Sequence, residues 1–113
     1  MLTFDRICKL AEPYPGIEVG TSYGTPALRA GGKLILRMHD REDAIVLLLE
    51  SVAQQQALMA EDPMGFFITD HYEGYAAVLV RPTVDEQPFV ELLEQRWRQV
   101  ARKRDLKAFD SRT

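Results

Sequence analysis

The residues able to carry covalent or acid–base chemistry are few: one cysteine, Cys8, and two histidines, His39 and His71. A nucleophilic mechanism needs a thiol or hydroxyl beside a base. Cys8 follows Ile7 in a stretch of helical apolar spacing, where a cysteine serves as a small packing residue. Neither histidine sits in a nucleophile motif. One Cys and two distant His, with no Cys-x-x-Cys or His-x-x-x-His, fall short of zinc-ligand spacing. Gly31-Gly32 separates two strand-like runs and reads as a hairpin turn, not as a phosphate-cradling loop. Asp40, Glu42 and Asp43 could hold a hard cation weakly, but a solvated turn accounts for them. The expectation is a non-enzyme with no catalytic residue, no metal and no cofactor.

What remains is the chemistry of recognition. The densest unusual segment is Asp70-His71-Tyr72-Glu73-Gly74-Tyr75, whose rings offer flat apolar bodies with polar handles. His71, Tyr72 and Tyr75 therefore read either as a recognition loop or as the packing of a hairpin tip. Thr21 to Pro26 reads as an ordered turn whose hydroxyls satisfy backbone groups. Charge is uneven along the chain. Of 14 Lys and Arg, seven lie between Arg96 and Thr113 with only two acids, a local net of +5 on a chain of net charge −3. A solvated helix end accounts for this, and so does a localised phosphate contact.

These side chains need elements to position them. Thr3 caps a first helix with Phe4, Ile7, Leu10 and Ala11 on one face, ended by Pro13 and Pro15. Thr25 to Ala30 and Lys33 to His39 read as a hairpin. A two-residue loop would scramble its polar and apolar faces. A three-residue loop, Ala30 to Gly32, pairs Arg29 with Lys33 and Thr25 with Arg37, placing Leu28, Leu34, Leu36 and Met38 inward. It leaves Arg29, Lys33, Arg37 and His39 as an outward row. Ala44 to Glu50 is a third strand, apolar on both faces and so expected to be covered on both. Ser51 and Gln54 open a short helix to about Ala60. Strands at Phe66 to Thr69 and Ala76 to Arg81 flank the Asp70–Tyr75 loop. A helix from about Asp85 to Lys103 carries Phe89, Leu92, Leu93, Trp97, Val100 and Ala101 on its apolar face. The order α-β-β-β-α-β-β-α predicts an α+β two-layer domain: a five-stranded antiparallel sheet with helices on one face.

Bulk composition agrees. The chain has 113 residues, 46% hydrophobic and 27% charged, the profile of one globular domain over residues 1–113. Its longest apolar run, Ala44 to Leu49, has six residues, against about 20 for a membrane span. Asp5, Arg6 and Lys9 leave no apolar core for a signal peptide. A single cysteine fits a reducing cytoplasm, so a cytoplasmic protein without a membrane partner is expected.

The residues also match a known pattern. Thr21-Ser22-Tyr23-Gly24-Thr25-Pro26-Ala27 with Gly32-Lys33, then His71-Tyr72-x-Gly74-Tyr75-x-x-Val78-Leu79-Val80-Arg81, then Trp97-x-x-Val100-Ala101-x-Lys103-Arg104, closely resemble the MmcQ/YjbR family over essentially the whole chain. One departure is visible: the family usually has Pro where this chain has Arg102, which would let the last helix run on. The resemblance implies a secretion-chaperone-like or CyaY-like two-layer fold. It also implies binding of double-stranded DNA between two hairpin wings, with Lys33, Arg81, Lys103 and Arg104 as the matched cations and His71, Tyr72 and Tyr75 as the recognition loop; the outward hairpin row adds Arg29 and Arg37, and the basic end adds Arg102, as further candidates. The secretion-chaperone likeness implies instead a protein or peptide partner, held by a sheet edge or by Tyr23, Tyr72, Tyr75 and Trp97, in a monomer or a homodimer. Iron handling, drawn from the CyaY likeness alone, would need an acidic first helix. Here Asp5 and Glu12 are offset by Arg6 and Lys9.

Overall fold

A computed structural model describes residues 1–112; Thr113, the last residue of the expected domain, lies outside them. Helix α1 (Phe4–Ala11) starts where Thr3 Oγ1 accepts the Arg6 N–H at 3.1 Å, the cap its sequence predicts. Strands β1 (Glu18–Ser22), β2 (Thr25–Ala30), β3 (Lys33–Met38) and β4 (Ile45–Leu48) follow. Helix α2 (Val52–Glu61) is capped by Ser51 Oγ, which accepts the Gln54 N–H at 3.1 Å. Then come β5 (Phe66–Phe67), a turn of 3-10 helix (Asp70–Tyr72), β6 (Ala77–Val80), α3 (Glu86–Val100) and α4 (Lys103–Asp110).

The sheet is antiparallel with strand order β1-β2-β3-β4-β6-β5. It has six strands, not the five expected, because β1 forms from the turn-rich stretch before Thr25. Its signal is weak: a short edge strand, mostly exposed, with Gly20 inside it. What makes it pair is the connection. Tyr23 (φ 52°) and Gly24 (φ 79°) are both left-handed, the backbone of a tight two-residue hairpin whose twist matches the strands.

The β2–β3 register also differs from expectation. Ala30 pairs with Lys33 across a two-residue turn, yet Leu28 pairs with Leu36 and Ala27 with Arg37. A bulge reconciles these. Ile35 is the extra residue on β3, and it restores the in–out alternation that a two-residue turn alone would invert. Ile35 and Leu36 are both fully buried, while Leu34 moves to the outer face.

One face of the sheet carries Leu28, Leu36, Ile45, Leu47, Val78 and Val80 against Ile7, Phe89, Leu93 and Trp97 of α1 and α3. Leu58 and Met59 bring α2 into this layer at the β5–β6 side. The opposite face has its own small cluster, Ala44, Val46, Ala77 and Leu79 under Tyr72. Strand β4 is thus covered on both faces along most of its length, as its unbroken apolar run requires.

The last helix does not run on. It stops at Val100, and Ala101 (ψ 149°) and Arg102 (φ −67°, ψ 150°) are extended before α4 begins. This is the backbone a proline at 102 would impose, reached without one. Packing holds the break: Phe109 on α4 folds back to stack on Tyr14 at 5.1 Å and meets Trp97 edge-on at 5.2 Å. Arg98 adds an ion pair to Asp110 at 2.8 Å. No described helix is long and apolar enough to cross a membrane.

Candidate functional site

The outer sheet face is hollowed into a groove of about 910 Å³. Leu34, Arg37, Val46 and Leu48 form its floor. Tyr23 at the β1–β2 tip stands on one side, and Thr69, His71, Tyr72 and Tyr75 on the other. His39 to Glu42 close one end, and Arg96 lines the groove together with Leu34, whose carbonyl it holds. A mostly apolar cleft of this size with a few convergent polar groups has the build of a ligand site.

Arg37 is the central charge. Its Nη2 donates to Tyr72 Oη at 2.7 Å and its Nη1 to the Met38 carbonyl at 3.3 Å. The Tyr23 ring lies 5.4 Å from its guanidinium carbon, a cation–π distance. Two of five N–H groups are thus used, and none of the ion pairs among the described residues includes Arg37. Arg96 is half-buried as well. Its Nε and Nη2 donate to the Leu34 carbonyl at 3.1 and 3.0 Å, and it too has no carboxylate in those ion pairs. Burial pulls its pKa down. Desolvating a guanidinium without an anion carries a cost, and this groove does it twice.

His39 orders the charged end. Its Nδ1 accepts the N–H groups of Arg41 and Glu42 at 3.0 and 2.9 Å. Asp40 Oδ1 lies 3.5 Å from the same nitrogen.

Gln55 orders the aromatic wall, and the sequence gives no hint of it. It reads as the middle of a three-glutamine run, yet it is 1% exposed. Its Nε2 donates to the carbonyls of Tyr72, Tyr75 and Ala77 at 3.1, 2.9 and 2.8 Å. One amide therefore fixes both ends of the loop that presents His71, Tyr72 and Tyr75. His71 stacks on Tyr75 at 6.1 Å and 14°.

The expected cations fall into three places. Arg37 lies in the groove. Lys33, Arg102, Lys103 and Arg104 gather at one end of the molecule, because Gly31 packs directly on the Val100 carbonyl, leaving no room for a side chain there. This end adjoins Leu34 and Arg96. Arg29 lies opposite Leu34 on the outer face and spends Nη1 on the Thr21 carbonyl at 2.8 Å, and Arg81 lies 4.1 Å over the Phe67 ring. Of the aromatics proposed to hold a partner, Trp97 is 0% exposed, with Nε1 donating to the Pro15 carbonyl at 2.9 Å. It belongs to the core. Tyr72 is buried with only its edge on the groove, whereas Tyr23 and Tyr75 are 89% and 61% exposed. Cys8 is half-buried, and burial followed by Asp5 pushes its thiol pKa up, away from the reactive thiolate. Asp40, Glu42 and Asp43 do not form a metal-holding group among the described residues.

Fold and groove together define a two-layer α+β protein with an open, partly charged sheet face. No protein-family model matches the chain, and no solved structure is significantly similar to it. It is similar to uncharacterized proteins of Mycobacterium bovis and of two strains of Mycobacterium tuberculosis. Each is 28% identical over an alignment of 127 positions, covering 96% of this chain and 96% of the relative.

Proposed function

We propose that this chain is a non-enzymatic, cytoplasmic DNA-binding domain of MmcQ/YjbR type. The carrying observation is the pair of half-buried guanidinium groups, Arg37 and Arg96, that line the groove and take part in none of the ion pairs among the described residues. Phosphate oxygens would take up the N–H groups that each guanidinium has left over, charge-assisted hydrogen bonds of the strong kind. Outside the groove, Lys33 comes shortly after Gly31, which packs on Val100 just before Arg102 to Arg104, and these cations would supply phosphate contacts that position a strand without reading sequence. An acidic body of net charge −3 keeps the attraction local and weak.

Fluorescence anisotropy with a labelled DNA, at several salt concentrations, tests this. About six phosphate contacts give a slope of log affinity against log salt near −5. Replacing Lys103 and Arg104 by Ala should reduce it by about two. A flat salt response removes the proposal.

A second reading, a protein or peptide partner, has its own support in β1. Among the described residues this edge strand has no strand partner on its outer side, and it exposes Val19, so it can extend the sheet with an added strand. A pull-down that retains a defined partner, lost on replacing Val19 by Pro, would favour it.

A further inference from the structure

Resting on the nucleic-acid reading above, we propose that the groove takes unpaired nucleic acid, with bases stacked on Tyr23 and on the Tyr75–His71 pair and phosphates on Arg37 and Arg96. Tyr23 carries the argument. It occupies the first central position of a tight hairpin at φ 52°, where Gly, Asn and Asp are favoured and a bulky side chain is strained. At 89% exposure its ring returns little to the fold beyond the contact with Arg37, a cation–π contact that is weak at an exposed site. Strain kept for so small a return is characteristic of a binding surface.

Across the groove the Tyr75 ring, 61% exposed, lies nearly parallel to His71. The loop carrying it is fixed by the Gln55 amide, so the platform is ordered before any ligand arrives, which lowers the cost of binding. Flat aromatic faces beside a cationic floor are how single strands are held with little sequence preference. The volume of about 910 Å³ lies at the scale of small-ligand clefts: it admits a few bases and not a duplex. Polarity follows from the lining. Asp40 and Glu42 stand with Arg41 at the His39 end, so the excess positive charge lies at Arg37 and Arg96, toward Lys33. The backbone of the strand runs to that end.

The test compares a labelled 12-mer of deoxythymidine with a duplex of equal length at low salt, using wild type and Tyr23→Asn. Asn tolerates the left-handed backbone, so this variant should unfold at a higher urea concentration than wild type while binding the single strand about tenfold or more weakly, as loss of one stacked base implies. Stability and binding then move in opposite directions, which a misfolded variant cannot mimic. Tyr75→Leu should weaken the single strand similarly. Equal or tighter duplex binding, untouched by Tyr23→Asn, overturns this inference and leaves the DNA-binding reading intact. Failure of both oligonucleotides to bind overturns both. Binding of hexaglutamate instead, sensitive to Tyr23→Asn, would overturn it in favour of an acidic peptide.

Discussion

Gln55 is the residue whose replacement tests the site's construction most directly. Its Nε2 carries two protons and faces three carbonyl oxygens, those of Tyr72, Tyr75 and Ala77, at 2.8 to 3.1 Å. Gln55→Met keeps the volume and removes the donors. Two hydrogen bonds are lost, and carbonyls at a side chain only 1% exposed are left short of partners. At about 1–3 kcal/mol for each buried group left unpaired, two such losses sum to roughly 2–6 kcal/mol. That is a large part of the stability of an ordinary domain, about 5–15 kcal/mol, and at its lower end small enough to leave a folded protein. Gln55→Glu is the sharper variant. Its carboxylate would face the same carbonyls, so burial and repulsion raise its folded pKa above the unfolded value. A carboxyl raised in this way keeps its stability below the unfolded pKa, near 4.3, and loses it as pH rises through the folded pKa. The variant should therefore be weakest at pH 7 and recover on acidification to pH 5, relative to wild type. Urea unfolding followed by Trp97 fluorescence at both pH values measures this, and amide exchange of residues 72–77 shows where the protein loosens. A Met variant within about 0.5 kcal/mol of wild type, or a Glu variant that tracks wild type with pH, would falsify the account.

Three further outcomes follow from the packing. Arg102→Pro fits a backbone already at Ala101 ψ 149° and Arg102 φ −67°, and should raise stability by about 0.4–1 kcal/mol; a lower urea midpoint would contradict the packing account of the helix break. Phe109→Ala removes the ring that holds α4 on Tyr14 and Trp97 and should cost about 2–3 kcal/mol, with amide exchange rising in residues 103–110 while the sheet stays protected. Burial, then a hydrogen bond to Glu94 at 2.8 Å, pushes the Tyr14 hydroxyl up to about 12. Its contribution is complete below pH 10 and is lost as pH rises toward 12, so wild type should lose stability over that window. Tyr14→Phe should lack that component of the pH dependence, read as urea midpoints at pH 9 and pH 11.

Much of the framework was legible residue by residue. Thr3 and Ser51 start helices where their hydroxyls predict, because a cap is a contact three residues away and needs no tertiary partner. The apolar face of α3 follows from helical spacing, and the two-sided burial of β4 from its unbroken apolar run. The outward placement of Arg37 was also readable, from the alternation of β3. Register was not. A bulge at Ile35 changes which face Leu34 presents, and the alternating pattern of β3 is compatible with either turn until the core decides between them.

The sequence by itself determined the α+β class, most element positions and the basic end, since each rests on local periodicity, caps or composition. Only the tertiary structure decided the rest. It added β1 through a hairpin at Tyr23-Gly24, broke the last helix at Arg102 by docking Phe109, and sent Trp97 into the core. It also drew Gln55 to three carbonyls some twenty residues distant and set Arg37 and Arg96 along one groove. These depend on which backbone groups are left unpaired once strands and helices have packed, a quantity fixed by the whole chain in three dimensions and by no window of its sequence.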